Sequence, residues 1–230
     1  MRPVRISPAI FAAALLSLAL VAADDKQAAA PPRSLFDGST LDGWKPCYSK
    51  GGELKVVDGA LILPLGKPMT GIVSTRTDLP SVDYELTYEA RRTAGTDFFA
   101  AATFPVNASF VTLVNGGWGG NITGISSING VDASENQTAT FVRYKDQNWY
   151  AFKVVVTGDV ILCYVDDKPV VQLSHKDLQL TTRIETRATE PLGFATWNTA
   201  GALRKIQVRR LTPAEVAAAD KVVSQLEEGK

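Results

Sequence analysis

The sequence predicts an all-β fold, about a dozen short antiparallel strands closed into a sandwich or barrel, with one helix at the C-terminal end. Three observations predict it. Residues 83–91, DYELTYEAR, alternate strictly: Tyr84, Leu86, Tyr88 and Ala90 are apolar, and the residues between them are polar. A period of two gives a strand with one face on a core and the other in water. Turn dipeptides stand between such runs, at Asp58-Gly59, Asn115-Gly116, Asn129-Gly130 and Gly158-Asp159. No helical period appears before the closing stretch.

In chain order, residues 34–45, SLFDGSTLDGWK, come first. They hold two Asp-Gly pairs around Leu41 and then Trp44. Glycine accepts φ > 0 at little cost, so each pair marks a tight turn. Strand-like runs follow at 60–63, 71–76, 83–91, 97–104, 109–114, 139–144, 149–157, 160–166, 169–174, 191–197 and 203–211. VDDKPV reads as a hairpin, with Pro169 opening the return strand, where its missing N–H matters least. The helix spans 212–230. Thr212 and Glu215 form a capping box, Pro213 takes the first helical position, and Val216, Ala219, Val223 and Leu226 share a stripe. It reads as a surface appendage.

Residues 1–23 read as a secretory signal peptide. Arg2 and Arg5 precede an apolar run from Ile10 to Ala23, shorter than the roughly 20 residues a spanning helix needs, and Val21-Ala22-Ala23 offers small residues for cleavage. An uncleaved anchor is the alternative. A linker at 24–33 precedes the domain at 34–211, so the mature chain is expected in the periplasm or outside the cell, with no membrane span. Export permits disulfides. Cys47 and Cys163 are the two cysteines, expected within bridging reach; two buried thiols are the alternative. Lys+Arg and Asp+Glu both number 24, so no basic excess attracts phosphate backbones and nucleic acid is not an expected partner.

LFDGSTLDGW resembles the opening motif of the 3-keto-disaccharide hydrolase family. VVDGALIL, TDLPSVDYELTYEARR, NWYAFKVVVTGDVILCYVDDKPVVQ and PLGFATWNTAGALRKIQVRRL resemble its later stretches, in order, so the likeness covers 34–211. It implies a secreted bacterial domain with a concanavalin A-like jelly-roll sandwich. The family pattern carries a Glu-x-Gln strand in mid-domain and a histidine before the last strand. Here the corresponding stretches read SFVTLVNGG, without a carboxylate, and TWNTAG, with Trp197 and Asn198 and no histidine. The resemblance is thus to a divergent branch. It implies an exported carbohydrate-active domain, a hydrolase of (3-keto-)glycosides. The alternative is a non-catalytic carbohydrate-binding or cell-surface module on the same fold. A glycan or small saccharide is the partner on either view.

A ketone at C3 of a sugar acidifies the proton on C2 and makes the C1 oxygen a β leaving group. Cleavage then needs a base near C2, an acid near the leaving oxygen, and a cation or donor for the enolate. An ordinary glycosidase needs two carboxylates flanking C1. The acid/base candidates are Glu135, in the polar loop after Trp118, and Asp97, at a strand start; a solvated charge and a turn cap are the ordinary alternatives. The substrate-binding candidates are Trp118, Trp197, Asn198 and Arg143. Glycines flank Trp118 and permit close approach of a ligand, although an indole folded inward fits the same pattern. Trp118, Trp197 and Glu135 are expected on one concave surface, with Asp97 or Arg143 beside them. Asp132, Ser134 and Asn136 alternate like calcium ligands, but Gln137 and Arg143 stand where an EF-hand needs Gly and Glu. No cofactor is expected, with an irregular calcium site as the alternative. His175, the single histidine, lies among residue types that favour the surface. Trp44 and Trp149 read as packing residues.

The exported chain should begin near Asp24. N-terminal sequencing of secreted protein checks this, and retention of Met1 would contradict it.

Overall fold

The computed structural model describes residues 29–228. The signal peptide expected at 1–23 lies outside them. The strands are β1 (Arg33–Ser34), β2 (Trp44–Pro46), β3 (Lys55–Val57), β4 (Ala60–Leu63), β5 (Met69–Ser74), β6 (Tyr84–Gly95), β7 (Ala101–Val106), β8 (Ser109–Gly116), β9 (Ile122–Ser126), β10 (Thr140–Phe141), β11 (Tyr150–Val156), β12 (Val160–Val165), β13 (Lys168–Ser174), β14 (Gly193–Trp197) and β15 (Thr199–Arg210). They form two antiparallel sheets. The first runs β13-β12-β11-β6-β15-β4-β3, with β1 also paired to β15; the second runs β10-β9-β8-β7-β14-β5-β2. This is a jelly-roll sandwich. The C-terminal helix is Pro213–Glu228.

The core lies between the sheets and follows from strand alternation. β6 buries Tyr84, Leu86, Tyr88 and Ala90. Tyr88 stacks on Phe152 of β11 at 4.8 Å between centroids and meets Phe194 of β14 edge-on at 4.9 Å, so one ring ties both sheets. Such aromatic pairs add about 0.5–1.5 kcal/mol each beyond area burial. The opening motif closes one end. Asp37 accepts N–H bonds from Ser39 and Thr40 at 2.7 and 2.8 Å, and the Trp44 indole N–H reaches Leu35 O at 2.7 Å. Leu35, Phe36 and Trp44 are buried, so the two Asp-Gly turns aim three apolar side chains inward.

β15 breaks simple alternation. Leu203, Ile206 and Val208 all face the core, though Leu203 and Val208 differ in parity. A register shift between Arg204 and Gln207, with Lys205 at φ 54°, re-aims the strand. The hairpin at Asp166 and Asp167 has both residues at positive φ, 47° and 61°, the twist a two-residue hairpin needs.

The helix docks on the outer face of the first sheet. Ala219 and Val223 cover Val155, Val160 and Leu162, and Thr157 Oγ1 donates to Asp220 Oδ1 at 2.6 Å. The capping box forms, with Glu215 N–H to Thr212 Oγ1 at 3.3 Å and Thr212 N–H to Glu215 Oε2 at 2.8 Å. Leu226, assigned to the stripe, is exposed instead and stands outside the cluster that Ala219 and Val223 form with the sheet.

Two further expectations change. Arg33, placed in the linker, is the first residue of β1, paired with Val208 and salt-bridged to Asp78. Cys47 and Cys163 are free. Cys47 follows β2, the last strand of the second sheet, whereas Cys163 points into the core from β12, at the other side of the first sheet. Burial pushes the Cys47 thiol up to about 12 and the Cys163 thiol higher still, so both stay protonated. Thiol titration of unreduced, denatured protein should therefore find two free thiols per chain; none would show that the strand order is different.

Candidate functional site

The second sheet turns its outer face away from the core, and most positions there are small or polar. Thr112 and Val114 of β8, Gly124 and Ser126 of β9, and Gly193, Ala195 and Trp197 of β14 share that face. Small residues leave room for a covering segment, residues 175–192. A chain of buried hydroxyls fastens it. Thr103 and Thr112 lie 2.8 Å apart, Thr112 donates to Thr186 at 3.0 Å, and Thr189 Oγ1 stands 2.6 Å from Thr103 Oγ1. Tyr48 adds a second anchor, donating its hydroxyl to Glu185 O at 2.7 Å. Gly71 makes that possible: a Cβ there would lie 2.6 Å from the Tyr48 ring.

A cleft of about 210 Å³ opens between this segment and the Gly116–Asn121 turn. Thr112, Val114 and Ser126 form its floor. Asp97, Phe98, Trp118 and Trp197 stand on one side, and Arg183, Glu185 and Thr186 on the other. The turn is left-handed at Gly116, Trp118, Gly119 and Gly120, with φ of 77°, 49°, 85° and 105°. That run places the Trp118 indole at the mouth, 41% exposed. Gly120 must lack a side chain, since a Cβ would lie 2.8 Å from Thr96 O.

Asp97 holds the turn. Its Oδ2 accepts Gly119 N–H at 3.2 Å, its Oδ1 accepts Phe98 N–H at 2.8 Å, and its own N–H donates to Thr199 Oγ1 at 2.9 Å. Trp197 N–H donates to Phe98 O at 3.1 Å, and the Phe98 and Trp197 rings lie 6.4 Å apart. On the opposite wall, Arg183 grips Glu185 through two bonds of 3.1 Å and reaches Asp132 at 2.8 Å. Asp132 also accepts the Ser126 and Ser127 hydroxyls at 3.2 and 3.0 Å. Burial works to raise the Glu185 carboxyl, but the Arg183 hydrogen bonds and charge outweigh it and hold the group below its ordinary value.

Asp97, Trp118 and Trp197 line one cleft. The structure does not bring Glu135, Arg143 or Asn198 to the cleft; all three are exposed. Glu135 rides a tight turn closed by its N–H on Asp132 O at 3.0 Å. Arg143 follows β10 at the sheet edge. Asn198, at φ 43°, turns the chain from β14 in one sheet to β15 in the other, its N–H on Pro68 O at 2.7 Å. Of the suggested calcium ligands, Asp132 is taken by Arg183 and the serines, and Asn136 Oδ1 by Thr138 N–H and hydroxyl at 2.9 and 2.6 Å. Among the described residues, no group of three His, Cys, Asp or Glu side chains is arranged to hold a metal ion. His175 is buried rather than exposed, its Nε2 3.3 Å from Thr157 O. Sequence reasoning missed Arg183 and Glu185. The two flank a turn, with Thr186 and Arg187 N–H on Arg183 O at 3.1 and 3.0 Å, and no periodicity in the sequence marks it.

Two facing antiparallel sheets with a cleft on one outer face make this a jelly-roll domain. The chain belongs to the 3-keto-alpha-glucoside-1,2-lyase-like domain family, a carbohydrate-active family, which it matches over residues 31–209. No curated protein matches the sequence. Among solved structures it resembles a carbohydrate esterase from Shiga toxin-encoding bacteriophage phi24B, at 12% identity and TM-score 0.54, covering 79% of this chain and 100% of that one. The Crh5 transglycosylase gives 12% identity and TM-score 0.53, over 80% of this chain and 89% of that one. Domain 4 of the arabinanase AbnA from Geobacillus stearothermophilus, solved with arabinotriose, gives 17% identity and TM-score 0.50, over 76% and 87%. At these identities the likeness is one of fold.

The Glu185 carboxyl sits below its ordinary 4.5, so its contribution to stability is present above that value and is lost as pH falls through the folded one. The stability gap between wild type and Glu185→Gln should be widest near pH 7 and shrink below about pH 4.5. Urea unfolding at several pH values measures it; a gap that widens in acid would contradict the Arg183 pairing.

Proposed function

We propose that the domain acts outside the cytoplasm on a 3-keto-glycoside, taking one sugar ring in the cleft. The observation that carries the reading is the convergence of two indoles, a carboxylate and a guanidinium, Trp118, Trp197, Asp97 and Arg183, on one hollow of about 210 Å³. That is below the roughly 300–1,000 Å³ of drug-sized sites, so it suits one ring rather than a chain. The indoles offer apolar faces to the ring, and Ser126, Thr112 and Glu185 offer hydroxyl and carboxylate partners.

Asp97 is the candidate base. It takes the C2 proton, and the C2–H electron pair moves into the C2–C3 bond as the ketone becomes an enolate. Arg183, on the opposite wall, donates to that oxygen from an N–H not engaged by Glu185 or Asp132. The enolate then collapses, a C1–C2 double bond forms and the C1–O bond breaks. Protonated Asp97 returns its proton to the departing oxygen. Addition of water across the double bond completes a net hydrolysis. Glu185, held ionised by Arg183, serves as a hydrogen-bond acceptor rather than an acid.

A second reading rests on the same carboxylate. Both Asp97 oxygens already accept backbone N–H bonds that hold the Trp118 turn, so the carboxylate has a structural task that needs no chemistry. On that reading the domain binds a saccharide and does not turn it over.

One experiment separates the two. The mature protein is incubated with 3-ketomaltose and with maltose, with and without EDTA. Turnover of the keto sugar alone, reduced about 10²–10⁴-fold by Asp97→Asn, supports the enzyme. Binding without turnover supports the module. Trp118→Ala should weaken binding by tenfold or more, about 1.4 kcal/mol, with unchanged circular dichroism. Unchanged binding in that variant would remove the cleft from either reading.

A further inference from the structure

β10 is two residues long and forms the edge of the cleft sheet. Thr140 pairs with Thr123, and Phe141 with Ile122. Directly opposed residues of an antiparallel pair share a face. Thr123 points to the core, where its hydroxyl lies 2.8 Å from Tyr144 Oη, and Thr140 accordingly reaches across to Val170 O at 2.8 Å. Ile122, Gly124 and Ser126 alternate onto the other face, and Ser126 floors the cleft. Phe141 therefore stands on the cleft face.

Phe141 is 80% exposed, more than any other large apolar side chain among the described residues. An edge strand that shows an aromatic ring invites unwanted pairing, and edges are ordinarily blunted with charge. Ile122 also bridges to Gly117, the residue before Trp118. Two strand spacings, roughly 10 Å, thus separate Phe141 from the turn that presents Trp118. Trp197, Phe98, Trp118 and Phe141 lie along the same end of the sheet.

We propose that Phe141 is a second sugar-stacking subsite, taking the ring next to the one in the cleft. It rests on the cleft being the sugar site. The cleft accommodates a single ring, and the next unit of a saccharide leaving it toward the β9–β10 edge meets the Phe141 ring. In the elimination described above, this is the sugar that departs. The ligand is then at least a disaccharide.

The test uses methyl 3-keto-α-glucoside as a one-ring probe and 3-ketomaltose as a two-ring probe, in the Asp97→Asn background so that neither is consumed. Calorimetry should show the two-ring probe binding about tenfold tighter, one aromatic contact's worth. Phe141→Ala should cut that advantage to less than twofold, and Phe141→Trp should restore it. Retention of the advantage in Phe141→Ala, or no advantage in the parent protein, overturns the subsite while leaving the cleft intact. Failure of either probe to bind both Asp97→Asn and the wild-type protein, or equal binding by Trp118→Ala, overturns the cleft reading and the subsite with it.

Discussion

The buried threonine chain of Thr103, Thr112, Thr186 and Thr189 is the contact on which the site depends. A sheet face of small residues has no shape of its own. Residues 175–192 give it one wall, and only side chains that bond the sheet hold that wall in place. An unmatched buried hydroxyl costs about 1–3 kcal/mol, so the chain is a constraint on register as much as a source of stability. If the segment slid by one residue, several hydroxyls would lose partners together. Arg183 and Glu185 hang from this anchored segment, and their position follows from it.

Asp97 carries the opposite wall by a different device. Its carboxylate caps two backbone N–H groups, and one of them belongs to the turn that raises Trp118. The same group is thereby a structural clamp and a lining residue of the cleft. Left-handed backbone at Gly116, Trp118, Gly119 and Gly120 is affordable because three of the four are glycine. The cleft is thus made of two preset walls over a rigid floor.

Much of the sandwich is legible in sequence, because burial on one side imposes a period of two. The alternation of Tyr84 to Ala90 needs no neighbour to be understood. β9 is less visible: Ile122–Ser126 lies in a stretch rich in glycine and serine, where the turn signal hides the strand. The shift in β15 disguises which of Leu203, Ile206 and Val208 face inward. Within the site, Trp118, Trp197 and Asp97 are legible as unusual residues at turn and strand ends. Glu135 looks equally suited in sequence, but the short turn at Asp132 directs it to solvent. Arg183 and Glu185 become site residues only through the path of a long covering segment, which no local pattern encodes.

The two ends of the described chain are placed on one side. β1 pairs with β15 in the first sheet, and the C-terminal helix lies on that sheet's outer face. The cleft opens on the outer face of the other sheet. A partner that contacts β1 or the helix therefore lies behind the domain, and the aromatic end of the cleft looks away from it. Immobilisation through the exposed face of the helix would present the domain much as a mounted lamp presents its lens.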